Sequence, residues 1–278
     1  MRSRVALIQS FKDTQRYIKE NEQLREETLL AMAATTLYLE GYESFNPSIK
    51  VGTAKIRVTE DTTFHCAQTL VSETNAEGKV AVLNFANAYT PGGGVTDGAG
   101  AQEECLCRSS NLYNCLNVPY LLKNYYKWNR KNTGDMGTDA VIYTSGVTVF
   151  KTDDDIPEMM EKENWFKTDV ITSAAPYYDS FRKKPVTMET LGNVFFGRIR
   201  NILEVAAANN VDALVLGAFG CGAFNNPPDL VAEQFRKLLI DRGYGRFFKE
   251  IVFAIKKNDT RNSNFEAFQA AFSADIVS

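Results

Sequence analysis

The sequence predicts an α/β domain: a three-layer α/β/α sandwich with a mixed central sheet and an N-terminal helical extension. Two observations carry this reading. Residues 79–86 (KVAVLNFA) and 213–216 (ALVL) are continuous apolar runs, as strands covered on both faces are. From residue 79 onward such strands alternate with helix-length segments, the pattern of layered α/β architecture. The 278 residues suffice for one sizeable core, and no internal repeat or low-complexity linker divides them. We place the helical extension at 1–78, packed on a compact core at 79–278.

Taken in order, residues 13–40 read as one long helix, because Tyr17, Leu24, Leu30, Ala33 and Leu37 recur at near-helical spacing. Gly41 ends it, and Phe45 to Pro47 connect it onward. Residues 55–59 alternate as a strand does. His65, between Phe64 and Cys66, reads as part of a structural strand segment. The 79–86 strand delivers Asn84, Asn87 and the glycines after them at its C-terminal end. A helix over about 100–117 follows, then an irregular segment rich in Tyr, Asn and Lys to 139.

Residues 140–150 and 170–173 read as strands separated by the acidic run Asp153-Asp154-Asp155, a solvated loop. A long helix over 190–209 carries Leu191, Val194, Phe195, Ile199, Ile202, Leu203 and Ala206. The 213–216 strand runs into a second glycine-rich loop. Asn226 as N-cap with Pro227 at the first helical position starts a helix to about 241. A last strand at 251–255 and a helix at 264–272 complete the chain.

Composition narrows the function. With 31 Lys and Arg against 34 Asp and Glu the net charge is −3, so direct nucleic-acid binding is not expected. The five cysteines (Cys66, Cys105, Cys107, Cys115, Cys221) form no CxxC pair, and His65 is the single histidine. Such scattered ligands predict no metal, and we expect no cofactor. The thiols read as reduced and structural. No apolar run has the length of a signal sequence or membrane span, so a cytoplasmic, membrane-free protein is expected. With no second histidine, acid–base chemistry falls to carboxylates.

Those carboxylates stand out. Pro91 and Gly92-Gly93-Gly94 are followed, seven residues on, by Gln102-Glu103-Glu104 at the start of the predicted helix. Glycines allow positive φ and close backbone approach, and carboxylates can bind hydroxyls or supply a proton. The second loop, Gly220-Cys221-Gly222-Ala223-Phe224, lies between a strand and a helix N-terminus, an arrangement suited to phosphate. It lacks the Gly-Lys-Ser/Thr of a Walker loop and the third glycine of a dinucleotide fingerprint.

The run Val82 to Asn87 followed by Gly92-Gly93-Gly94 resembles the ligand loop of macrodomains, and residues 220–224 resemble their diphosphate loop. The Gly-Gly-Gly-x7-Gln-Glu-Glu pattern, with Leu106-Cys107-Arg108 after it, is similar to the compact, bacterial-type poly(ADP-ribose) glycohydrolases. The resemblance covers about 80–273. It departs at Asn225, where a glycine or larger basic residue is expected.

The resemblance implies a macrodomain-like fold and cleavage of ribose–ribose O-glycosidic bonds, with poly(ADP-ribose) or ADP-ribosylated protein as partner and ADP-ribose as product. It makes Glu104 the catalytic acid and Glu103 a partner for ribose hydroxyls. Asn87 would bind the distal ribose, with Gly93, Gly94 and Val95 passing beside it and Gln102 a further ligand-binding residue. Gly220, Cys221, Gly222 and Ala223 would cradle the diphosphate, Phe224 and Phe85 would border the ligand, and Lys256 and Asn258 would line the adenine end. Side chains of adjacent helical residues are expected to diverge, so one acid plus one hydroxyl-binder is the division of labour. Two rivals remain open on these residues: a mono-ADP-ribosyl hydrolase and a non-catalytic ADP-ribose-binding module.

Overall fold

The computed structural model describes residues 3–39, 48–73, 78–134, 136–179, 186–257 and 262–273. Gly41, the 45–47 connector and Asn258 lie outside them. Seven strands form one mixed sheet: β1 (Thr35–Tyr38), β2 (Lys55–Thr59), β3 (Val80–Phe85), β4 (Val141–Val149), β5 (Phe166–Ser173), β6 (Ala213–Leu216) and β7 (Glu250–Ala254). Their spatial order is β1-β4-β5-β3-β6-β7-β2. β1 and β4 are antiparallel to their neighbours, whereas β5, β3, β6, β7 and β2 run parallel. Five strands therefore present their C-terminal ends at one edge, where open α/β sheets bind ligands.

The period-2 geometry of strands builds two cores from one sheet. In β3, Ala81 and Leu83 enter one core while Val80 and Val82 enter the other. β6 and β7 alternate in the same way, with Leu214, Leu216, Ile251 and Phe253 on the first face and Ala213, Val215, Val252 and Ala254 on the second. The first face is covered by α8 (Met188–Ala208), α9 (Pro228–Arg236) and α10 (Ser263–Phe272). The second is covered by α3 (Thr63–Glu73), α4 (Gln102–Ser109), α5 (Leu112–Leu116) and the helical run after it.

The N-terminal part departs from the expected single helix. α1 (Arg4–Glu20) and α2 (Glu22–Ala33) are separated by Asn21, whose extended backbone breaks the first helix and whose side chain caps the second by accepting from Leu24 N–H at 3.0 Å. After Ala34 the chain becomes β1, where two threonines and a tyrosine suit a pleated edge. Leu30 is exposed, so part of the helical period marked surface and not core. The boundary drawn at residue 78 is not an edge of the sheet, because β1 and β2 both belong to it.

Three local expectations also shift. His65 sits on α3, exposed, with Nδ1 2.6 Å from Asp61 Oδ2 one turn earlier. The helix expected over 100–117 is two helices, broken where Ser110 adopts extended backbone. The segment expected to be irregular to 139 is largely helical, running through α6 (Pro119–Leu121), a π-helical turn (Leu122–Tyr126) and α7 (Lys127–Asn132). Its Leu121, Tyr125, Tyr126 and Asn129 point inward, a helical face made largely of tyrosine and asparagine, which are not read as core residues. Among the described residues no helix is long and apolar enough to cross a membrane.

Phe253 anchors the first core: its ring lies 5.3 Å from that of Phe235, 5.1 Å from Phe268 and 4.7 Å from Phe272. Phe253→Ala is expected to lower unfolding free energy by about 3–5 kcal/mol, read from the urea midpoint at unchanged m-value. A loss under about 1 kcal/mol would show that α9 and α10 are held by something else.

Candidate active site

The five parallel strand ends surround a cavity of about 700 Å³. Phe85 ends β3 and lines it with Asn87 just beyond, Ala175 enters after β5, Ala218, Gly220, Gly222, Ala223 and Phe224 after β6, Ile255 and Lys256 after β7, and Asp61 to Thr63 after β2. Gln102, Glu103 and Glu104 form its wall from the first turn of α4.

Gln102 ties these parts together. Its Oε1 accepts from Phe85 N–H at 2.8 Å, and its Nε2 donates to Leu83 O at 2.8 Å and Thr63 Oγ1 at 3.1 Å. One amide thus fastens α4 to the end of β3 and to the start of α3.

Glu103 is buried, yet fully engaged. Its Oε2 accepts from Asn87 N–H at 2.7 Å and its Oε1 from Asn84 Nδ2 at 3.3 Å. Burial, with the Glu104 charge beside it, pushes its pKa up to about 8 against the pull of those donors. Glu104 is also buried, and Gly94 N–H donates to its Oε1 at 2.9 Å. Its Oε2 is buried without a hydrogen-bond partner.

The two carboxylates do not diverge as expected for helical neighbours. A Cβ built on Gly93 would collide with Glu104 Oε1 and sit 3.1 Å from Glu103 Oε2. Both groups therefore back onto one point of the glycine turn, where φ is +67° at Gly92 and +57° at Gly93. The missing Cβ leaves the room in which they converge.

The second loop is held by Asn226. The expected N-cap is one residue early: Pro227 caps and Pro228 opens α9, a shift that the Pro-Pro pair leaves open at the level of sequence. Asn226 instead turns inward, donating from Nδ2 to Pro176 O at 2.8 Å and Gly220 O at 2.9 Å. Gly220 has φ +76°, and a Cβ there would strike Ala175. Asn225, the departure from the family pattern, has φ +55°, which asparagine tolerates better than most residues. Gly222 is exposed and open on its Cβ side.

Of the residues expected at the site, Phe85, Asn87, Gln102, Glu103, Glu104, Gly220, Gly222, Ala223, Phe224 and Lys256 line the one cavity. Gly93 and Gly94 stand behind the carboxylates. Val95 is fully buried in the second core, and Cys221 packs against the first, its thiol 3.7 Å from Phe219 O. Asn87 Oδ1 is already committed to Tyr89 and Thr90 N–H, at 2.8 and 3.0 Å.

Sequence reasoning missed the opposite wall. Asp61, Thr62 and the Asp153–155 run border the cavity, so that run is no free solvated loop. Asp153 accepts from Phe64 N–H at 2.8 Å, burial raises its pKa, and Lys256 Nζ pairs with Asp155 at 3.3 Å. The available signal was position: Asp61 lies two residues beyond the end of the β2 strand. Among the described residues no group of three or more His, Cys, Asp or Glu is arranged to hold a metal.

A sequence model of the microbial-type PARG catalytic domain matches residues 7–152. The chain is similar to the crystal structure of poly(ADP-ribose) glycohydrolase from Thermomonospora curvata, at 32% identity over 96% of this chain and 99% of that one, with TM-score 0.83. That enzyme bound to the inhibitor ADP-HPD matches at 32% identity over the same shares of both chains, with TM-score 0.80. The Deinococcus radiodurans enzyme in complex with ADP-ribose matches at 30% identity over 90% of this chain and 98% of that one, with TM-score 0.76. No curated protein matches the chain.

The raised pKa of Glu103 makes stability depend on pH. An unfolded glutamate titrates near 4.5 and the folded one near 8, so the folded chain holds an extra proton between them. The stabilisation is fully present below pH 4.5 and is lost as pH rises through about 8. Glu103→Gln removes this titration. Urea unfolding across pH 5–8 is expected to lose up to ~1.4 kcal/mol per pH unit of downward slope in the variant. Identical slopes would place the folded Glu103 at its ordinary pKa.

Proposed function

The chain belongs to the microbial-type poly(ADP-ribose) glycohydrolases, and from that premise we propose how its residues divide the work. The enzyme hydrolyses ribose–ribose O-glycosidic bonds of poly(ADP-ribose) and releases ADP-ribose. Glu104 acts as general acid and then general base. The observation that carries this is the contrast between the two buried carboxylates: Glu104 Oε2 has no partner, whereas both oxygens of Glu103 accept bonds from the protein.

In the first step the Glu104 Oε2 proton passes to the leaving ribose oxygen as the C–O bond breaks, leaving oxocarbenium character on the anomeric carbon. A water then attacks that carbon and returns its proton to Oε2. The Gly94 N–H bond keeps the carboxyl oriented through both transfers. Glu103, whose pKa burial raises, is held by the Asn84 side chain and the Asn87 N–H and turns its remaining hydrogen-bonding capacity to a ribose hydroxyl. Because the two carboxylates stand side by side against Gly93, they do not flank a bond as the usual glycosidase pair does. One acid with one positioning partner fits that geometry.

The diphosphate lies on the 220–224 loop, where the open Cβ side of Gly222 leaves backbone free to approach phosphate. Asn226 supports this by drawing the Gly220 carbonyl away, its N–H and Nδ2 both donating to that oxygen. Phe85 and Phe224 border the ligand, Asn87 meets the distal ribose through its remaining amide donors, and the adenosine lies towards Asp61 and Lys256.

Glu104→Gln keeps shape but cannot carry the proton, so polymer turnover is expected to fall about 10²–10⁴-fold while ADP-ribose still binds. Glu103→Gln keeps one acceptor oxygen and is expected to cost less. Turnover of Glu104→Gln within a few-fold of the parent, or a larger loss for Glu103→Gln, would overturn the assignment. Digesting polymer and mono-modified protein side by side also separates this reading from a mono-specific hydrolase, which leaves polymer intact. Gly222→Val is expected to abolish most ADP-ribose affinity by calorimetry with Tm retained; unchanged affinity would remove this loop from the diphosphate.

A further inference from the structure

The chain is acidic overall, yet residues 105–134 form a thirty-residue stretch with no Asp or Glu, the longest in the sequence. Five cations fall within it: Arg108, Lys123, Lys127, Arg130 and Lys131. Arg108 is buried, but the other four are exposed on the helical run formed by α6, the π turn and α7. That run turns Leu121, Tyr125, Tyr126 and Asn129 inward, so its outer stripe consists of Tyr120, Lys123, Lys127, Trp128 and Lys131. Tyr120 is 60% and Trp128 48% exposed, unusual for large aromatic rings. No carboxylate of the described residues forms an ion pair with Lys123, Lys127 or Lys131. Solvated helix faces ordinarily mix both charge signs; this one combines one sign with exposed rings.

Its position relative to the cavity is fixed by two hydrogen bonds. Buried Asn129 on α7 donates from Nδ2 to Ala88 O at 3.0 Å, and Tyr89 OH donates to Gly134 O at 3.0 Å. α7 is therefore stapled to the turn that carries Asn87, on the side of the cavity given above to the distal ribose and the carboxylates. The opposite end, at Lys256 and Asp61, is where the adenosine lies.

We propose that this basic-aromatic stripe is a docking surface for the part of the poly(ADP-ribose) chain beyond the bond being cut. The proposal rests on the glycohydrolase reading and extends the site outward from it. A polymer held by its terminal unit in the cavity must leave past the ribose end, where the stripe begins. The emerging chain carries two phosphate charges and one adenine per unit. Lysines attract the first by releasing counterions, and exposed rings stack on the second, the pairing that binds flexible single-stranded polyphosphates. From Tyr120 to Lys131 the stripe extends over roughly 16 Å at about 1.5 Å per residue, long enough to meet more than one phosphate. Being outside the cavity, it adds affinity for length and none for ADP-ribose.

The test uses the full chain, length-fractionated poly(ADP-ribose), ADP-ribose, and a single-stranded polynucleotide of matched length. Lys123→Gln/Lys127→Gln/Lys131→Gln is expected to raise KM for long polymer about tenfold or more at low salt, with kcat unchanged. It should also flatten the log–log salt dependence of polymer binding by about 2, at ~0.7 per cation lost. Trp128→Ala is expected to weaken polymer about tenfold. ADP-ribose affinity by calorimetry should not change in any variant, and these exposed substitutions should leave Tm in place. In the parent, polymer but not ADP-ribose should quench the Trp128 component of fluorescence, a signal lost in Trp128→Phe.

Equal KM and salt slope in parent and triple variant would overturn the proposal. So would an equal loss for ADP-ribose, which would move the effect into the cavity. Competition by the polynucleotide as strong as that by polymer would make the stripe a nucleic-acid surface and overturn it too. The fluorescence and salt measurements need no turnover. A parent that binds polymer at the stripe but releases no ADP-ribose would therefore refute the glycohydrolase reading and leave this surface standing.

Discussion

The site depends on one missing atom. Two adjacent carboxylates can share a buried wall only if something opposite them takes up no space, and that is the Gly93 backbone. A Cβ there would drive Glu104 out of its bond with Gly94 N–H. Positive φ at Gly92 and Gly93 is the second half of the same constraint, since any other residue would be strained even with the space available. The glycine triplet is best understood as the negative shape of the two carboxyl groups, and only secondarily as a flexible turn.

Burying those groups is costly, and the surrounding polar network offsets the cost unequally. Asn84 and the Asn87 N–H both donate to Glu103, yet burial still wins and the carboxyl holds its proton into the neutral range. Glu104 receives one backbone donor and keeps one oxygen without a partner. Gln102 makes this asymmetry rigid by fastening α4 to β3 and α3 through three hydrogen bonds. The difference between the two glutamates lies in what each touches, because their chemistry and position along the chain are nearly the same.

The sheet brings the rest of the site to the same place. Parallel pairing of β5, β3, β6, β7 and β2 puts five loops at one edge, so the cavity gathers residues from Asp61 to Lys256. Asn226 then joins two of those loops by bonding both Pro176 and Gly220 carbonyls. α1 reaches the same region from the N-terminal side: Arg4 Nε donates to Asp97 O at 2.5 Å, just beyond the glycine turn, and Thr14 Oγ1 to Arg108 O at the end of α4. The N-terminal residues thus brace the glycine turn and the helix that carries the Glu103–Glu104 wall of the cavity.

Strands with both faces covered were legible in the sequence, because continuous apolar runs such as 80–85 and 213–216 have no alternative use in a water-exposed chain. The glycine triplet with Gln102-Glu103-Glu104, and the 220–224 loop, were legible for the same local reason: unusual residue types at tight spacing. The 13–40 segment was not, since one asparagine cap and an edge strand leave the hydrophobic period almost unbroken. Nor were the 118–132 helices, whose inward face is largely tyrosine and asparagine, residue types that read as irregular or exposed.

The sequence alone singled out Gln102-Glu103-Glu104 and the two glycine loops, and it determined the layer type that carries them. Only the tertiary structure decided that Glu103 and Glu104 converge, that Val95 and Cys221 turn into the cores, and that Asp61 and the Asp153–155 run close the far wall. Periodicity and motif spacing report on neighbours a few residues apart. Strand order and the room left beside a glycine are set by segments as distant as β2 and β7, whose pairing no local pattern encodes.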